Sequence, residues 1–175
     1  TINSNKKNNI QNFIDNGYTT YALYQEVLNF LGLKKIFHNV ETYHDSLKLW
    51  NGLADKIIDF LKSDNLKKPW LYYVQIYDLH LLAYPIKTRL EEGPSQIHDS
   101  KFGNNHHERL VSAMDEWIGK IIENVDLEQT LVIITSDHGS EAGNYTQEME
   151  KYNDQNIQAR EYEHGKIYKL SHKII

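Results

Sequence analysis

Two short apolar runs constrain this chain more than anything else in it, because each stops at an Asp and a His. Trp70-Leu71-Tyr72-Tyr73-Val74-Gln75-Ile76 leads into Asp78-Leu79-His80, and Leu131-Val132-Ile133-Ile134-Thr135 leads through Ser136 into Asp137-His138-Gly139. Runs of this length without polar alternation read as strands covered on both faces, the pattern of a mostly parallel sheet with helices on either side. Helical spacing fills the intervals. Ile10, Phe13 and Ile14 predict a helix stopped by Asn16-Gly17, and Tyr18 to Leu23 is β-prone. Asp45-Ser46 reads as the cap of a second helix, with Leu47, Trp50, Leu53, Ile57, Ile58 and Leu61 on one stripe and an end near residues 63–65. A third helix is expected over about 106–124, its apolar face made by Leu110, Ala113, Met114, Trp117, Ile118, Ile121 and Ile122. The alternation predicts a layered α/β/α sandwich with a mostly parallel central sheet.

The 175 residues suit one domain, read as a flexible segment over 1–9 followed by a single unit over 10–175. Residues 83–105 lack periodicity and read as a long loop, and from Ser140 to about Glu161 the chain is polar again. The chain opens on Thr1 and closes on Lys173-Ile174-Ile175, which reads as the start of a strand, so a piece of a longer chain is expected. Against 24 acidic residues there are 19 basic ones, a net charge of -5 that argues against a general nucleic-acid binder. Mean hydropathy is -0.62 and the apolar runs are far too short to span a bilayer. Cysteine is absent, which excludes disulfides, Cys-ligated zinc and a thiol nucleophile within these residues and leaves the compartment open.

In parallel α/β sheets sites gather at the carboxyl ends of strands. Asp137 and His138 offer a hard oxygen and a borderline nitrogen to a divalent cation, and Gly139 permits the turn that lets adjacent side chains address one point. The same pair also suits a capping carboxylate and a hydrogen-bonded loop imidazole. Asp78 and His80, two residues apart, share a side of an extended chain and can meet one anion or metal; a polar strand exit explains them equally well. His164-Gly165-Lys166 offers an imidazole ligand and an ammonium for an oxyanion, or forms an ordinary turn. His106-His107 reads as a solvated helix start, Asp115 as a helix-face polar partner and Asn144-Tyr145-Thr146 as a chance match to a glycosylation sequon.

Taken in order, Gly17-Tyr18-Thr19-Thr20, the run from Trp70 to His80, and the block Thr130 to Glu141 resemble the sulfatase family of the alkaline-phosphatase-like superfamily, from about residue 10 to the C-terminus. The helix carrying Ser112, Asp115 and Gly119 resembles the segment before that family's last strand. The resemblance implies an incomplete alkaline-phosphatase-like fold and metal-dependent hydrolysis of small sulfate or phosphate esters by the intact parent. It implies metal ligation by Asp137, His138 and His164, contact of Asp78 and His80 with the substrate, and catalytic roles for His80 and Lys166. The implied cofactor is a divalent metal, Ca, Zn or Mn, with His138 favouring a transition metal.

Two departures matter. The family's nucleophile, a formylglycine made from Cys or Ser in a Cys/Ser-x-Pro-Ser-Arg motif or a Thr or Ser in phosphate-transferring relatives, has no counterpart in residues 1–16. Nor does Ala22-Leu23-Tyr24-Gln25-Glu26 supply the usual Gly-Lys-x-His. These residues alone are therefore expected not to turn over substrate. Alternative readings are a phosphoglycerol- or phosphoethanolamine-type transferase and a non-catalytic binding module on the same fold. A homo-oligomer formed through an exposed sheet edge is a further expectation.

Overall fold

The computed structural model describes residues 8–83 and 93–136. Helix α1 spans Asn9–Asp15, one residue earlier than the spacing predicts, because the Asn8 side chain accepts the Gln11 amide at 2.9 Å and caps it. Gly17, at φ +83°, turns the chain into strand β1, Thr19–Gln25. After two 3₁₀ turns, Glu26–Leu31 and Leu33–Lys35, come strand β2 (Asn39–Tyr43), a 3₁₀ turn at Leu49–Asn51 and helix α2 (Leu53–Leu61). Strand β3 (Trp70–Val74) follows, then 3₁₀ turns at Asp78–Ala83, Ser95–His98 and Ser100–Phe102, and helix α3 (His106–Ile122).

The sheet has the order β2-β1-β3, and both pairings are parallel, with Tyr21 beside Asn39 on one side and Tyr72 on the other. Every residue from Thr20 to Gln25 is buried, which explains why β1 lacks polar alternation and takes the centre. Its odd-numbered residues face α2 and α3: Leu23 packs with Tyr43, Leu49, Leu53, Ala54 and Ile57, backed by Met114, Trp117 and Ile118. Its even-numbered residues face the opposite layer, where Ala22, Tyr24 and Phe37 gather Ile10, Leu28 and Ile36. Helical layers thus cover both faces, as expected. Leu49, Leu53, Ala54, Leu110 and Ala113 are fully buried, and each Leu side chain so placed contributes about 1.5–3 kcal/mol of transfer free energy.

Three expectations need correction. The second helix does not start from an Asp45-Ser46 cap. His44 occupies those groups, its Nδ1 accepting the Ser46 amide at 3.3 Å and its carbonyl accepting the Leu47 amide at 3.0 Å. Gly52, at φ +127°, then interrupts the helical path, and α2 begins at Leu53. Leu47, Trp50, Leu53, Ile57 and Leu61 still meet in one cluster, so the stripe is right although the helix is shorter. Second, β2 has no counterpart among the expected strands; with Asn39 and Glu41 exposed and Tyr43 buried it is a short edge strand.

Third, residues 131–135 are not a strand. Leu131 is 83% and Ile133 75% exposed, and the segment carries no ladder among the described residues. An aliphatic run specifies the capacity to pair, whereas a strand also needs a neighbour's backbone groups. Lys68, just before β3, reaches Gln129 with its ammonium 3.3 Å from Oε1, close to where this run begins.

Candidate active site

All three strands run the same way, so their carboxyl ends share one edge of the sheet. There β1 ends at Gln25, β2 at Tyr43, and the chain leaving β3 continues through Gln75 to His80. The Gln75 amide extends the β3 ladder by donating to the Leu23 carbonyl at 2.9 Å. Beyond it, pairing gives way to side-chain bonds. The Tyr43 hydroxyl donates to the Gln75 carbonyl at 2.8 Å and accepts the Tyr77 amide at 3.2 Å.

The chain then enters a 3₁₀ turn at Asp78, so the expected extended geometry with Asp78 and His80 on one side is not what forms. Asp78 points inward and is fully buried, its Oδ1 accepting the Leu49 amide at 2.8 Å. That bond satisfies the first donor of the turn ahead of α2. Oδ2 has no hydrogen-bond partner among the described residues. Burial pushes this carboxyl up to about 6, while the Leu49 amide and the charge of Lys48, itself 8% exposed, pull against that rise. His80 is half-buried. Its imidazole stacks on the Tyr77 ring at 3.9 Å and 8°, and its amide donates to the Tyr77 carbonyl at 3.1 Å.

The structure therefore brings Asp78 and His80 to one strand end and divides them by burial, the carboxylate fully buried and the imidazole half-buried with its Nδ1 out of solvent. Asp137, His138, His164 and Lys166 lie outside the described residues, as does the Asn144 sequon. His106 and His107 begin α3, where Asn105 caps by accepting the Glu108 amide at 2.9 Å. Asp115 is exposed on the same helix, and Ser112 donates to the Phe102 carbonyl at 2.7 Å. Among the described residues no group of three or more His, Cys, Asp or Glu stands close enough to hold a metal. A cleft of about 570 Å³ lies at the opposite end of the sheet, lined by Thr19, His38, Asn39, Phe60, Asn65 and Lys67 among others. It involves neither Asp78 nor His80.

Asp78 and His80 are legible in the sequence, whereas their supports are not. Tyr43 closes a strand too short and too polar to stand out, and Lys48 sits inside what reads as a helix. Only Tyr77, inside the run that carries the pair, had a signal in its position.

A parallel sheet between helical layers, with an Asp and a His where a strand leaves it, defines an α/β layered domain of the alkaline-phosphatase-like type. The model of the sulfatase family matches residues 3–165, and the chain belongs to that family. Membership makes it a sulfatase-like protein of a hydrolase superfamily. No curated protein and no solved structure matches the chain.

Proposed function

We propose that this chain carries the substrate side and the metal side of a site for metal-dependent hydrolysis of small sulfate or phosphate esters. The observation that supports it best is the division at the end of β3. A half-buried imidazole, oriented by an aromatic stack, stands at the carboxyl edge of a parallel sheet, backed by a buried carboxylate. On this reading His80 donates a hydrogen bond to an ester or sulfate oxygen. Asp78 serves the substrate side from behind, by fixing the turn that carries His80.

Asp137, His138 and His164 would hold a divalent cation. One carboxylate and two imidazoles suit Zn or Mn by ligand softness, and Ca less well. Bound there, the cation supplies positive charge against the tetrahedral anion. Lys166 adds a second positive charge for the same oxygens. No residue of this chain is assigned as nucleophile, and no turnover is expected from these 175 residues alone.

Calorimetric titration of the full chain with Zn²⁺, Mn²⁺ and Ca²⁺, followed by sulfate or phosphate, tests the reading. Asp137→Ala is expected to weaken metal binding at least tenfold with little change in thermal stability. His80→Ala is expected to weaken anion binding and leave metal binding alone. Unchanged metal affinity in Asp137→Ala removes the metal assignment, and metal loss in His80→Ala reverses the role given to His80.

A further inference from the structure

We infer that Tyr43 is a positioning residue for His80, acting through the loop Gln75–Asp78 and the ring of Tyr77. The inference deepens the reading of His80 as the substrate-side group and rests on it for its functional consequence. Tyr43 ends β2, the strand separated from β3 by the whole width of β1, yet its hydroxyl reaches across to the β3 exit. There it uses both of its capacities on the backbone, donating to the Gln75 carbonyl and accepting the Tyr77 amide. The two consecutive peptide groups that flank Ile76 are thus tied to one atom. That atom belongs to a ring 4% exposed and packed among Leu23, Leu49 and Leu53.

The consequence passes to His80 through Tyr77. With the Tyr77 amide fixed, its ring lies parallel to the imidazole at 3.9 Å, and its carbonyl accepts the His80 amide. Asp78 supplies a second anchor on the far side of the loop through the Leu49 amide. The loop is held at residues 75, 77 and 78, and the imidazole two residues beyond inherits that placement. Burial is the main cause that pushes the Tyr43 phenol well above its ordinary value, with the Asp78 charge adding to it, so the hydroxyl keeps the proton that it donates.

Tyr43→Phe in the full chain deletes the hydroxyl and retains the ring. Ring stacking places the His80 imidazole protons upfield, and their NMR positions report the stack directly. The expected result in Tyr43→Phe is loss of much of that upfield displacement, with sulfate affinity falling roughly three- to tenfold and metal affinity unchanged. Tyr77→Leu is expected to remove the displacement entirely. Unchanged His80 signals in Tyr43→Phe, alongside a full change in Tyr77→Leu, overturn the inference. If Tyr43→Phe does not fold, amide exchange in the native chain decides: a protected Tyr77 amide supports the tie and a freely exchanging one overturns it. Should sulfate fail to move His80 in the native protein while Tyr43→Phe still shifts the ring, the positioning role stands and the substrate reading fails.

Discussion

Residues 70–74 and 131–134 are both runs of large apolar side chains, and they sit in opposite physical situations. The first is paired in parallel register with β1, and its exit is tied down by a tyrosine hydroxyl and by the contact between Asp78 and the Leu49 amide. The second carries Leu131 and Ile133 mostly in solvent and no ladder among the described residues. Side-chain hydrophobicity is common to both and so does not make the difference. What separates them is a neighbouring backbone, together with polar groups that close the end of the strand once pairing stops.

The largest expected effect lies in the core that supports the first run. Leu23, 1% exposed, joins β1 to α2, and Leu23→Ala is expected to cost about 2–5 kcal/mol in urea unfolding, from lost transfer free energy and an unfilled cavity. A loss under about 1 kcal/mol would mean that the paired region is as loosely held as the unpaired one, and the contrast would collapse.

Asp78 comes next, because the polar closure of β3 depends on it. Its carboxyl sits near about 6 against an ordinary 3.8, raised first by burial. Between those values the folded chain holds a proton that the unfolded chain has released, so stability from this group is fully present below pH 3.8 and is lost as pH rises through about 6. The span is about 2–3 kcal/mol. Asp78→Asn keeps an acceptor for the Leu49 amide and carries no titrating charge, so its stability is expected to be flat across that window where the native chain's declines. Asp78→Ala strips the acceptor and is expected to fall about 1–3 kcal/mol below Asp78→Asn at every pH. Equal slopes in native and Asp78→Asn proteins would assign the decline to another group.

The same comparison shows which parts of the molecule were legible in the sequence. Helices α1 and α3 follow from apolar spacing and β1 from a β-prone stretch, and β3 falls where its apolar run places it, although it is half-buried with Tyr73 39% exposed and not covered on both faces as the run predicts. Strand β2 escaped because an edge strand of five residues with Asn39 and Glu41 in solvent shows only weak alternation. The start of α2 was misplaced because the bonds around His44 and the positive φ of Gly52 outweigh a continuous helical stripe. At the site, Asp78 and His80 stand out by position after a strand, but nothing in their order says that one is fully buried and the other half-buried. Their partners, Tyr43 and Leu49, lie 35 and 29 residues before Asp78, and such contacts come from the fold rather than from local pattern.

The smallest expected effect lies in the exposed run and makes the comparison sharpest. Ile133 is 75% exposed, so Ile133→Ser removes little buried surface and is expected to change unfolding free energy by no more than about 0.5 kcal/mol, against several for Leu23→Ala. The two residues are both branched aliphatics next to other apolar residues, and area removed from water alone assigns them different weights. If Ile133→Ser costs more than about 1 kcal/mol in dilute solution, the run is covered in the native state, and a backbone neighbour pairs with it as β1 pairs with β3. A neutral result at every protein concentration leaves the run as an aliphatic segment with the composition of a strand and none of its pairing, which is the distinction between residues 70–74 and 131–134.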